Sequence, residues 1–123
     1  MMERKESMLN VKSERFAKRI IKLNRNLTQI KHETVISKQI YRSGTSIGAN
    51  IAESRFAQSE SDFISKLSIA LKEAEETEYW LKCLKDGDCL TDLEYLSMSN
   101  DNNELVRMLV SSVKTMKRKI GKL

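Results

Sequence analysis

The sequence predicts an all-α protein, an antiparallel up-down-up-down four-helix bundle, and three observations carry that prediction. The 123 residues contain no proline and only four glycines, where averages are about 5% and 7%, so long stretches run without a breaker. Apolar residues return in alternating steps of three and four, the spacing of one helix face. One Trp, three Tyr and three Phe are too few for a β-sandwich core. A chain of this length fits a single domain, 1–123, large enough to bury a core without disulfides.

Residues 1–10 show no periodicity and are expected to be a frayed lead-in. A first helix is predicted over about 11–31, where Phe16, Ile20, Leu23, Leu27 and Ile30 form a heptad-like seam. Arg15, Lys18, Lys22 and Arg25, with Arg19 beside them, form a basic row about 140° around the helix from that seam. Cations so spaced can meet successive phosphates, each contact releasing a condensed counterion. Ordinary solubilising charge is the alternative.

The second helix, predicted over about 33–56, contains Arg42-Ser43-Gly44-Thr45-Ser46-Ile47-Gly48-Ala49-Asn50-Ile51-Ala52-Glu53, in which only the two ends are charged. Ile36, Ile40, Ile47 and Ile51 share a face that Ser43 and Ser54 complete. Gly44 and Gly48 should each cost a helix about 1 kcal/mol relative to Ala. A helix that bears this twice is expected to need a second backbone close by; the alternative is a turn at the glycines. Asn50 falls towards the core on the helix wheel, with Arg42 and Glu53 just off that face. Arg42, Asn50, Glu53 and Glu73 are therefore expected to form a satisfied polar network, because an unpartnered buried polar group costs about 1–3 kcal/mol. That network would lie at a subunit boundary or, alternatively, within one chain around water.

Ser59 with Asp62, or Ser61 alone, can cap a third helix predicted over about 60–85. Phe63, Leu67, Ala70, Ala74, Thr77, Leu81 and Leu84 step 4-3-4-3-4-3 along it. A second row about 100° away, Ile69, Glu73, Glu76 and Trp80, is more than one bundle core requires. It suggests contact with another helix or subunit, the alternative being that Trp80 only shields a flank. Gly87 is placed to end this helix, and Thr91-Asp92-Leu93-Glu94 matches a capping box. A fourth helix, predicted over about 92–119, would bury Leu93, Leu96, Leu105, Leu109, Val113, Met116 and Ile120, with a bend or fraying over the polar stretch 97–103. Lys114, Lys117, Arg118, Lys119 and Lys122 close the chain as a basic tail.

The net charge of +5 is uneven: residues 1–32 carry nine Lys/Arg against three acids, and residues 59–87 carry four against seven. A polyanion would meet the ends of the sequence, not its middle. Catalysis is not expected. The single histidine, His32, cannot supply the two Glu-x-x-His motifs of a di-iron bundle. The segment 44–48 lacks the Gly-Lys-Ser/Thr of a phosphate-cradling loop. Cys83 and Cys89 form no CxxC pair and are expected to be free thiols. No metal or cofactor is expected, and with no membrane-length apolar run or signal-peptide pattern the protein is expected to be soluble and cytoplasmic.

With those residues in view, the chain resembles the bacterial four-helix-bundle family encoded by intervening sequences of 23S rRNA genes. The resemblance is carried by Phe16-Ala17-Lys18-Arg19-Ile20-Ile21-Lys22-Leu23, by the segment 42–53, by Asp62-Phe63-Ile64-Ser65-Lys66-Leu67-Ser68-Ile69-Ala70-Leu71-Lys72-Glu73-Ala74, and by Glu76-Thr77-Glu78-Tyr79-Trp80-Leu81. It reaches across residues 16–85. It implies a homopentamer of four-helix protomers and a relation to the basic accessory protein of diversity-generating retroelements, which binds a reverse transcriptase and nucleic acid. Arg42, Asn50, Glu53, Glu73, Glu76 and Trp80 would then serve protomer integrity and assembly, and no catalytic residues are implied. The expected function is a non-enzymatic oligomeric binder of structured RNA or DNA, through Arg15, Lys18, Arg19, Lys22, Arg25, Lys114, Lys117, Arg118 and Lys119. With few aromatics, readout of single strands by stacking is disfavoured. The rival is a protein-interaction scaffold or accessory subunit, for example of a reverse transcriptase.

Overall fold

The structure, a computed structural model, describes residues 4–121. Four helices make it up: α1 (Arg4–Gln29), α2 (Ile36–Ser54), α3 (Glu60–Asp86) and α4 (Asp92–Lys119), with no strand among the described residues. Each helix packs on its sequence neighbours, and α4 closes the ring on α1 with the sparsest of the four packings. Cross-helix pairs run in opposite directions along each seam. Arg42 meets Glu73 while Glu53 meets Lys66, and Lys12 meets Glu104 while Arg19 meets Asp101. These registers are those of antiparallel neighbours.

The core is the set of faces expected from the periodicity. Phe16, Ile20 and Leu27 of α1, Ile40, Ile47 and Ile51 of α2, and Leu67, Ala70, Ala74, Leu81 and Leu84 of α3 are all buried. Two serines of the α2 row, Ser43 and Ser54, are buried with them. Ser43 Oγ lies 2.9 Å from Thr77 Oγ1, and the Thr77 hydroxyl also reaches Glu73 O at 2.8 Å. The Ser43, Ser54 and Thr77 hydroxyls are thus satisfied inside the core.

Gly44 and Gly48 are helical, and α2 runs through them unbroken. The neighbour that an added side chain would meet is different at each. A Cβ at Gly44 would stand 2.7 Å from Cγ1 and 2.8 Å from Cδ1 of the buried Ile20. A Cβ at Gly48 would stand 3.5 Å from the backbone oxygen of Ser13, an ordinary contact. Close backbone approach therefore holds at Gly48 only, and at Gly44 the space is taken by an isoleucine side chain.

Several expectations are corrected. From Arg4 onward the lead-in is helix; Leu9, seven residues before Phe16, is buried and extends the heptad seam by one repeat. Residues 1–3 of that lead-in lie outside the described residues, as does Lys122 of the basic tail. Ile30 is 70% exposed, because α1 ends at Gln29 and His32 takes a left-handed φ of 56°. The second helix starts three residues later than expected, since Glu33 caps it from outside. Its carboxylate accepts from the amides of Val35, Ile36 and Ser37 at 3.2, 3.0 and 2.6 Å.

At the start of α3 it is Ser59 that caps, accepting from the Asp62 amide at 3.0 Å. At its end Gly87 has a φ of −88°, and the left-handed position falls instead on Asp88 at 62°, a residue type enriched there. The capping box of α4 is in place: Thr91 Oγ1 accepts from Glu94 N, and Glu94 Oε1 accepts from Thr91 N.

The polar stretch 97–103 does not interrupt α4. Leu93 and Leu96 point outward, Leu93 being 80% exposed, while Met98, Ser99 and Asn102 are buried in their stead. Hydrogen bonds decide that rotation. Asn102 Nδ2 donates to Ala74 O at 2.8 Å, and the hydroxyls of Ser99 and Tyr95 donate to the Glu78 carboxylate. Lys85 Nζ covers the Tyr95 ring at 4.7 Å.

Candidate nucleic-acid interface and polar face

Two surfaces carry the residues singled out from the sequence, and they lie on different helices. On α1 the Phe16/Ile20/Leu27 face enters the core, which turns Arg15, Lys18, Lys22 and Arg25 to the exposed side. None of these four makes an ion pair among the described residues. Arg19 is different. Its guanidinium donates to Asp101 Oδ2 at 2.7 Å and to the Ser97 carbonyl and hydroxyl at 3.2 and 2.8 Å, so it ties α1 to α4. Lys12 does the same with Glu104 at 3.0 Å. Neutralised cations thus flank a row of unneutralised ones.

Lys114, Arg118 and Lys119 are exposed on the last turns of α4 and Lys117 is half-buried; Lys119 Nζ lies 4.0 Å from Glu60 Oε1. Sequence reasoning missed Arg107. It is exposed and shares with Lys114 and Arg118 a shallow groove of about 410 Å³ that Val106 and Val110 floor. The 107-111-114-118 spacing, steps of 4, 3 and 4, was the available signal.

The polar cluster has a smaller membership than expected. Arg42 spans α2 to α3, donating to Glu73 Oε2 at 3.1 Å and to Glu76 Oε2, which also accepts from Trp80 Nε1 at 3.1 Å. The Trp80 hydrogen bond and the Arg42 guanidinium hold the Glu76 carboxyl below the ordinary carboxylate range, against the burial that would raise it. Tyr79 meets Trp80 edge to face, their centroids 5.0 Å apart. Tyr41, Ile69 and Tyr79 are exposed on these same two helices.

Asn50 and Glu53 do not belong to this cluster. The Asn50 amide donates to Ser46 O in its own helix at 2.9 Å, and Glu53 pairs with Lys66 at 3.6 Å. Both lie about two to three turns beyond Arg42, towards the opposite end of the α2–α3 seam, where the Arg42 side chain cannot reach. At one-third to two-thirds exposure the Glu53–Lys66 pair contributes little to stability.

Among the described residues no group of three or more His, Cys, Asp and Glu side chains could hold a metal ion, and no helix is long and apolar enough to cross a membrane. Cys83 and Cys89 are free thiols.

Fold and surfaces define a four-helix all-α protein with a basic row on α1 that is unpaired among the described residues and a bridged acid–aromatic face on α2 and α3. The chain belongs to the family of 23S rRNA-intervening sequence proteins, whose pattern it matches over residues 5–111. No curated protein matches it. Among solved structures it is similar to a protein of unknown function from the S23 ribosomal protein family of Bacteroides thetaiotaomicron. The two are 51% identical, superpose with a TM-score of 0.89, and the match covers 89% of this chain and 98% of that one.

Proposed function

We propose that this protein is a non-enzymatic, oligomeric four-helix bundle that binds structured RNA or DNA through its basic surfaces. The observation that carries the reading is the α1 row of Arg15, Lys18, Lys22 and Arg25, exposed and without acid partners among the described residues while Lys12 and Arg19 beside it are neutralised. Four cations along one helix match a phosphate backbone and read no bases. Membership of the 23S rRNA-intervening sequence family supports a nucleic-acid setting for this reading, which places the protein's action in the cytoplasm. Assembly would use the α2–α3 face, where Tyr41, Ile69 and Tyr79 stand exposed around the Arg42–Glu73–Glu76–Trp80 bridge; exposed aromatics beside satisfied polar groups suit a subunit contact. A homopentamer is the oligomer that the family resemblance implies.

The test is a gel-shift titration of rRNA fragments and of plain duplex at rising salt. Binding to duplex should weaken with a log–log slope of about −3.6, as four phosphate contacts require. Lys18→Glu with Lys22→Glu should lower affinity for every sequence alike and leave the oligomer intact by light scattering. Absence of binding at low salt ends the reading. That same exposed α2–α3 face favours a second reading, a scaffold or accessory subunit for a polypeptide such as a reverse transcriptase, which would bind nucleic acid only weakly.

A further inference from the structure

An open cavity lies at the bundle end formed by the starts of α1 and α3 and the ends of α2 and α4. It holds about 590 Å³, within the roughly 300–1,000 Å³ of small-ligand clefts. Leu9, Ile51, Phe63, Leu67 and Met116 give it an apolar floor, and Phe56 stands in its wall. Phe56 is 82% exposed, although its backbone is held by a hydrogen bond from its amide to Glu53 O at 3.0 Å. An aromatic ring fixed at its base and bare on its face is a stacking platform.

The rim is cationic. Arg55 makes no ion pair among the described residues, and Lys119, which also lines the cavity, lies 4.0 Å from Glu60. Beyond Lys119 the exposed Lys114 and Arg118 continue the positive charge along α4. At the rim, Gln58 contributes an amide side chain with no hydrogen-bond partner among the described residues, so it is available to read a polar edge. The neighbouring hydroxyls are committed: Ser54 donates to Ile51 O and Ser59 accepts from Asp62 N.

A flat ring face, a hydrogen-bonding edge and an anion a few ångströms away describe one class of occupant. We infer that this end cavity receives a single unpaired nucleobase of a structured RNA, stacked on Phe56, with its flanking phosphates on Arg55 and Lys119. The inference rests on the nucleic-acid reading above and adds specificity to it. The α1 row holds any duplex, and the cavity selects a duplex that carries a bulged or looped base. A paired base cannot enter, since leaving the stack costs several kcal/mol that an already unpaired base does not face.

The experiment uses the full chain and two RNA hairpins that differ by one unpaired 2-aminopurine in the stem, followed by anisotropy and by the fluorophore's own emission. The bulged hairpin should bind about tenfold more tightly, the scale of one base stacked on an aromatic ring, with its emission quenched on binding. Phe56→Ala should abolish both the excess affinity and the quenching while leaving plain-hairpin affinity unchanged; Phe56→Tyr should keep both. The Phe56 ring is exposed, so its removal leaves the core packed. Equal affinity for the two hairpins overturns the inference and leaves the phosphate-binding reading standing, as does an excess that survives Phe56→Ala. Binding of neither hairpin overturns both.

Discussion

The two seams that α1 makes are built from different materials. Against α2 it is dry: Ile20 fills the notch over Gly44, the Ser13 carbonyl rests at Gly48, and Ile40, Ile47 and Ile51 are buried behind them. Against α4 it is sparser and polar, held by Lys12–Glu104 and by Arg19 with Asp101 and Ser97. The first seam is limited by shape, so a single methyl group should be felt there. The second is limited by charge in contact with water, where most pairs are worth little. One helix thus joins a rigid hairpin on one side and a solvent-tuned edge on the other, and its unpaired basic row faces out between them.

The sharpest way to break that comparison is Gly44→Ala. Its Cβ would arrive 2.7 Å from a fully buried isoleucine, whose β-branch restricts its χ1 in a helix. Overpacking of this kind costs about 1–3 kcal/mol, more than the roughly 1 kcal/mol that alanine returns in helix propensity. Gly48→Ala, with its Cβ at an ordinary 3.5 Å from Ser13 O, should do the reverse and stabilise by up to about 1 kcal/mol. Urea unfolding of the two variants followed by circular dichroism checks both. If they move stability in the same direction, Ile20 does not define the seam.

A smaller effect is expected where that dry hairpin closes, at Glu33. Burial alone would raise its pKa, but the amides of Ile36, Ser37 and Val35 outweigh it and hold the carboxyl below the ordinary range. Glu33→Ala should cost about 1 kcal/mol at pH 7, as losing a helix cap does. The sign with pH follows from linkage. A carboxylate with a lowered folded pKa stabilises above its unfolded pKa, about 4.3, and that contribution fades as the pH falls through the folded value. Wild type and Glu33→Ala should therefore converge in thermal stability between pH 5 and acid conditions. A gap that persists at about pH 2 would mean that packing, not the charged cap, is what Glu33 provides.

How much of this was legible beforehand follows from the reach of each interaction. Rows such as Phe63-Leu67-Ala70-Ala74-Thr77-Leu81-Leu84 locate a helix and its inner face because burial repeats with the helix period. The Thr91/Glu94 box was readable since a cap spans four residues. Where a distant partner decides, the pattern misleads. Leu93 and Leu96 look like core until Asn102 is seen bonded to Ala74 O, 28 positions away, which rotates the first turns of α4 outward. Asn50 looks like a network member until its amide is found serving Ser46 O in its own helix. The candidate interface was half legible: the α1 row is a local spacing, but only the fold separates Arg19 and Lys12, which are neutralised, from Arg15, Lys18, Lys22 and Arg25, which are not. The end cavity joins residues from all four helices, and nothing local announces it.

The smallest effect should come from the polar seam itself. The Lys12–Glu104 and Arg19–Asp101 side chains are between 26% and 45% exposed, so their attraction is screened by water and each pair should contribute no more than about 0.5 kcal/mol. Asp101→Asn with Glu104→Gln should therefore lower stability by less than about 1 kcal/mol at low salt. The loss should vanish near 1 M salt, where the screening length is about 3 Å. Arg19 keeps its bonds to the Ser97 carbonyl and hydroxyl in that variant, which holds α1 in register on α4. Removing the two acids also leaves Lys12 and Arg19 without counter-charges beside the α1 row, so the same variant should bind duplex more tightly at low salt and with a steeper salt dependence. A stability loss of 2 kcal/mol or more, indifferent to salt, would place the α1–α4 contact in the same shape-limited class as the glycine seam and remove the contrast between them.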